Sequence, residues 1–211
     1  MRALVTGGSS GIGAAIAEAV GPGAEILDLA EGHDVSDPAS WRALEGPFES
    51  AFLNAGILTG ESDVTALSDT AYRRILAVNV DGVVFGVREL AARLMPGGGP
   101  IVVTASLAGL TDMQADPVYA LTKHALVGFV RSVAPQLSAR GIRINAICPG
   151  PVDTPLVTEG ARGPIPRPLI PPAFVAEAAL ETISSGETGQ CWIVQANRIE
   201  RWRYPRVPGP R

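Results

Sequence analysis

Short apolar runs alternate with helix-period stretches along this chain. "ALVTG" leads into "GIGAAIAEAV", which stops at Gly21-Pro22-Gly23. "AEILDLA", "FESAFLNAG", "GPIVVTAS", "GIRINAICPG" and "GQCWIVQA" follow, most of them separated by helical patterns. Runs this short and this continuously apolar suit strands covered on both faces. The alternation predicts an α/β fold: a doubly wound, Rossmann-like, mostly parallel sheet with helices on both faces. No linker divides the chain, so residues 1–211 read as one domain ending in an extended tail, 198–211.

Two long helices stand out. One runs from about Asp69 to Met95, with Gly82 and Gly86 four apart on a face that another backbone could approach closely. The other opens with Asp116 as N-cap and Pro117 at the first helical position. It is expected to end near Gly141, and Pro135 is expected to kink or split it. Between Ala30 and Trp41 there is too little chain for a usual crossover helix. This predicts a shortened crossover between the second and third strands, with the third strand reduced to a few residues around His33–Ser36.

Composition narrows the class. Hydrophobic residues make up 46% and charged residues 18% of the 211 positions, which fits a packed domain. A net charge of −4 argues against nucleic acid or an anionic membrane as partner. No apolar run approaches a membrane span, and nothing resembles a signal peptide, so a cytoplasmic location is expected. Cys148 and Cys191 read as buried small residues rather than a disulfide, and no metal-ligand spacing occurs. The tail "RIERWRYPRVPGPR" reads either as an anion- or membrane-binding arm or as a segment packed over a protein surface. The second reading is preferred.

"VTGGSSGIG" places Gly7, Ser9, Ser10, Gly11, Ile12 and Gly13 between the first strand and the first helix. Alone, this could be a tight turn. At this position it suits a pyrophosphate, which must approach backbone and helix N-terminus unobstructed by side chains. Asp28 ends the second strand, where a carboxylate can accept both ribose hydroxyls and repel a 2′-phosphate. That predicts NAD in preference to NADP. Asp34, beside Val35, can accept from the adenine amine or cap the turn before Pro38.

The chain has one lysine, Lys123, against sixteen arginines. It lies four residues after Tyr119 on the capped helix, so the two side chains share a face. Ser106 ends the strand "IVVTAS", at the carboxyl edge where open α/β sheets bind ligands.

Together these segments resemble the short-chain dehydrogenase/reductase family over nearly the whole chain. "TGGSSGIG" is similar to its cofactor loop, and Asn54-Ala55-Gly56 to most of its N-N-A-G, with Leu53 in place of the first Asn. Asn79, Ser106, the Y-x-x-x-K of Tyr119–Lys123 and Pro149-Gly150 fall in the family's order. The resemblance implies an NAD(P)-dependent oxidoreductase that interconverts a secondary alcohol and a ketone. It implies Tyr119 as acid–base, Ser106 as a donor to the substrate oxygen and Lys123 as a donor to the ribose. Asn79 would hold a water through a local break in its helix, and Val152 and Thr154 would contact the nicotinamide amide. A lysine ammonium at about 5 Å, at effective dielectric ~20, would favour the phenolate by roughly 3 kcal/mol, about two pKa units.

"LAGLTDMQADP" suggests a mostly apolar substrate pocket, with little lid in the proline-rich segment from Leu156 to Pro172. The substrate expected is a hydrophobic small molecule, and the family resemblance implies a homodimer or homotetramer. Two other functions compete: a dinucleotide-binding regulator without chemistry, and acyl transfer by Ser106 with Lys123. The second lacks a nucleophile-elbow motif.

Overall fold

A computed structural model of the chain describes residues 1–158 and 168–205. Its strands are β1 (Ala3–Thr6), β2 (Ala24–Leu27), β3 (Ser50–Leu53), β4 (Gly99–Thr104), β5 (Ile142–Pro149), β6 (Cys191–Gln195) and β7 (Arg198–Arg201). The helices are α1 (Gly11–Val20), α2 (Pro38–Arg42), α3 (Asp69–Leu76), α4 (Gly82–Glu89), α5 (Pro117–Ser138), α6 (Pro155–Thr158) and α7 (Pro172–Ser184). The strands form one sheet in the order β2-β1-β3-β4-β5-β6-β7, parallel except for β7. The doubly wound expectation holds. Successive residues of β1 alternate between the two faces. Leu4 joins the core with Trp41, Leu53 and Val83, while Ala3 and Val5 join the one with Ile16, Phe52 and Val175.

The chain leaves β1 for β2 on one side and returns to place β3 on the other. That reversal opens a crevice at the strands' carboxyl ends, the usual ligand position in such sheets. The connection between β2 and β3 is short, as expected, but the strand expected at His33–Ser36 does not form. Instead, Asp34 Oδ1 accepts from the amide and hydroxyl of Ser36 at 2.8 and 2.7 Å, closing a turn. The helix cap before Pro38 is Asp37, not Asp34. The five-residue α2 then drives Trp41 into the core, where its Nε1 donates to the Val35 carbonyl at 2.8 Å. With no strand beyond it, β2 is the sheet's edge.

Gly82 and Gly86 make room for a close approach, as expected. A Cβ on Gly86 would lie 2.5 Å from the Trp41 ring, and one on Gly82 would lie 3.0 Å from the Val35 side chain and 3.2 Å from its carbonyl oxygen. The face they clear is filled by the chain's own crossover. The long helix containing them is interrupted by two π-helical turns, at Ala77–Asp81 and Leu90–Leu94.

Pro135 does not split α5, because burial of Ala134 and Leu137 on either side holds the last turn against the core. The start of the expected tail enters the sheet. Asn197, with φ 61°, turns the chain so that β7 pairs antiparallel with β6. Beyond it, Tyr204 Oη donates to Cys191 Sγ at 2.7 Å, and the Arg131 guanidinium lies 3.5 Å from the Tyr204 ring centre. This part of the tail therefore packs over its own chain; residues 206–211 lie outside the described residues. Both cysteines are buried and free. Among the described residues, no helix is long and apolar enough to cross a membrane, and no cluster of His, Cys, Asp or Glu could hold a metal.

Candidate active site

The glycine turn joins β1 to α1 at one wall of a cleft of about 400 Å³. Thr6 Oγ1 accepts from the amides of Asn54 and Ala55 at 2.9 and 3.1 Å, which ties the turn to the end of β3. The glycines serve internal packing as much as access. A Cβ on Gly13 would lie 2.0 Å from the Gly7 carbonyl oxygen, and Gly11, at φ +52°, sits against Thr154. Ser10, the N-cap of α1, makes no side-chain capping bond, and the first turn contains no acid. The helix thus presents amides without a side-chain acceptor to the cleft that Ser10, Gly11 and Ile12 line.

Asp28 borders the same wall. Its Oδ2 accepts from Ser9 N–H and its Oδ1 from Ala30 N–H, both at 3.0 Å. Burial raises its pKa, but the backbone donors outweigh burial and hold the carboxyl below its ordinary value. Asp34 and Val35 line this end of the cleft, as do His33 and Arg74, which sequence reasoning did not select. Arg74 comes from α3, far along the chain, and no motif marked it.

Ser106, Tyr119 and Lys123 meet at the opposite end. β4 delivers Ser106 just past its carboxyl end, and α5 delivers the other two from one face. Lys123 Nζ donates to the Thr104 carbonyl at 2.8 Å and lies 5.4 Å from the centre of the Tyr119 ring. Lys123 is 3% exposed. Burial lowers its pKa to about 8, with the nearby Cys148 opposing.

The expected lowering of the tyrosine does not appear. Burial pushes the Tyr119 phenol up to about 12; a hydrogen bond from Ser106 offsets part of this, and Asp116 and Cys148 add to it. Removing a phenolate from water outweighs the attraction that spacing to the lysine suggested.

Asn79 does not line the cleft. It is fully buried in the π-helical turn, so the break in its helix is present. Its side chain also bonds protein. Oδ1 accepts from Ile57 N–H at 2.8 Å, while Nδ2 donates to the Ile57 carbonyl at 3.0 Å and to Thr122 Oγ1 at 3.1 Å. Ser9, which is exposed, and Gly13, which is buried, are also outside the lining. Asn54, Ala55 and Gly56, and across the cleft Pro149, Gly150, Val152 and Thr154, complete it. Of the proline-rich segment from Leu156 to Pro172, Leu156 and Val157 line the cleft, next to Pro155; residues 159–167 lie outside the described residues.

Known proteins are similar to this chain in sequence and fold. The family described as enoyl-(acyl carrier protein) reductase matches residues 15–167. Cyclohexanol dehydrogenase of Acinetobacter sp. (strain SE19) is 40% identical over 115 residues, 54% of this chain and 46% of that protein. The chain thus matches about half the length of that relative. Cis-4-hydroxycyclohexanecarboxylate dehydrogenase of Sinomonas cyclohexanicum is 34% identical over 215 residues, 83% of this chain and 86% of that protein. A crystal structure of a short chain dehydrogenase from Burkholderia cenocepacia J2315 in complex with NADP superimposes with a TM-score of 0.78 at 27% identity. It covers 92% of this chain and 95% of the other.

Proposed function

The chain belongs to the short-chain dehydrogenase/reductase family, and from that premise we propose that it interconverts a hydrophobic secondary alcohol and a ketone, with NAD as hydride carrier. The observation that carries this reading is the convergence of Ser106, Tyr119 and Lys123 at one end of the cleft whose other end is the glycine turn. The residues present fit a dinucleotide: uncapped amides of α1 for the pyrophosphate, the Asp28 carboxylate for the ribose, and Asn54–Gly56 and Pro149–Thr154 as facing walls.

Ser106 orients the substrate oxygen, and Tyr119 Oη gives it a proton in reduction or takes one in oxidation. Lys123, anchored on the Thr104 carbonyl, holds positive charge beneath the tyrosine ring. That anchor points the ammonium at backbone rather than at Ser106, so the acyl-transfer alternative finds no base. Asn79 acts as a clamp on Ile57.

Asp28 remains charged and would repel a 2′-phosphate, which supports NAD. The substrate class follows the apolar residues Ile57 and Leu156 in the cleft lining and the cyclic alcohols named for the two relatives. A dimer or tetramer would use surface other than the Gly82–Gly86 face, such as that around Leu121, which is 49% exposed on α5.

The test is NADH absorbance with cyclohexanol and cyclohexanone, comparing the wild type with Tyr119→Phe. Turnover by the wild type and a loss of about 10²-fold or more in the variant is expected. Equal rates in both would refute the assignment of Tyr119.

A further inference from the structure

We propose that Asp116 is a positioning residue: its buried carboxylate clasps loop 57–60 to the backbone of Tyr119 and so sets the wall against which the substrate is held. The proposal rests on the reading of Tyr119 as the acid–base.

The loop leaving β3 is held to α5 at two points. At the first, Asn79 binds both backbone groups of Ile57 and donates to Thr122 Oγ1, whose hydroxyl donates to the Tyr119 carbonyl at 2.7 Å. At the second, Asp116 Oδ1 accepts from Tyr119 N–H at 2.9 Å, while Oδ2 accepts from Thr59 N–H at 2.7 Å and Gly60 N–H at 3.0 Å. Both clasps end on the main chain of Tyr119, one on its carbonyl and one on its amide.

An N-cap needs only the first of the three Asp116 bonds. The other two reach a loop more than fifty positions upstream and do nothing for the helix. Asp116 is 2% exposed, and among the described residues no cation pairs with it, so its charge is met by the three amides. Between the clasps, Ile57 and Leu58 pack into the apolar cluster of Tyr119, Val118 and Met113, and Ile57 lines the cleft. The loop wall and the phenol therefore share one frame.

Asp116→Asn tests this. The asparagine oxygen can still cap Tyr119, but its NH2 group then faces the Thr59 and Gly60 amides, donor to donor. Asp116→Ser is the companion variant: it caps the helix and is too short to span to the loop. In the free enzyme, amide exchange at residues 59–60 should speed up by about tenfold or more in both variants. KM for cyclohexanol should rise about tenfold, while NADH affinity changes by less than about twofold. Neutralising Asp116 also removes a charge that opposes the phenolate, so the pH limb of alcohol oxidation should move to lower pH in both variants. Lys123 and Cys148, which face the same phenol, are unchanged.

Unaltered exchange at residues 59–60 would overturn the proposal. So would an unaltered KM with only a lower Tm, which is the signature of a helix cap alone, or a parallel loss of NADH affinity. Exchange is read without turnover, so its outcome is separate from that of Tyr119→Phe.

Discussion

Lys123 and Tyr119 show what burial does to two titratable groups in one site. The lysine falls to about 8 and the tyrosine rises to about 12, each chiefly because its charged form has lost water. Alcohol oxidation needs the phenolate and ketone reduction the phenol. The oxidation rate with cyclohexanol should therefore climb with pH across about 7–9 while the reduction rate does not, as a paired pH profile would show. Stability is linked to the same groups. Between pH about 8 and 10.5 the unfolded chain binds the lysine proton that the native state has released, so stability rises with pH there, by up to roughly 1.4 kcal/mol per unit. Between 10 and about 12 the native state keeps the tyrosine proton that the unfolded chain loses, and stability falls again. Denaturant titrations of wild type and Lys123→Met across that range check the first window, since the variant lacks the rise. Lys123→Arg should cut kcat by about 10²-fold or more: a planar guanidinium cannot keep the Thr104 bond in a site shaped to a slim stem. The Y-x-x-x-K spacing made this pair legible in the sequence. The direction of the tyrosine's shift was not legible, because spacing on a helix says nothing about how deeply the helix is sunk.

At the scale of elements, most strands and helices were readable from apolar runs and caps, while their order in the sheet comes from the structure. The crossover after β2 departs from the sequence expectation in its details. In place of a short strand at His33–Ser36, Asp34 and Ser36 close a turn, and Val35 and Trp41 bury their side chains against the core. The Gly82 and Gly86 spacing was visible; its occupant was not, because Trp41, which fills the space at Gly86, lies forty-five positions away in sequence. Gly86→Leu should force Trp41 out of its site and destabilise the fold by about 1–3 kcal/mol, measured by denaturant unfolding. NADH binding should weaken with it, since Asp34 and Val35 carry the cleft's rim on the same segment. Asp28→Ser should narrow the difference between NADH and NADPH affinity, measured by nucleotide fluorescence, because removing the carboxylate removes its repulsion of a 2′-phosphate.

Across the whole molecule, the sheet ends at β7 on one side, with a strap that carries Tyr204 back to Cys191 and Arg131, and at β2 on the other. The β7 side was half legible: packing of the tail over protein was expected, but the reversal at Asn197 was not. The open edge follows from the missing strand. Gly32 lies in the turn just beyond β2, at φ +83°, with nothing within 4 Å of where its side chain would be. A side chain at that point would meet open space, and β2 beside it has a neighbouring strand on one side only. The protein thus has a ready-made graft point, where an added strand–helix unit could widen the scaffold while the walls bearing Ser106 and Tyr119 stay as they are.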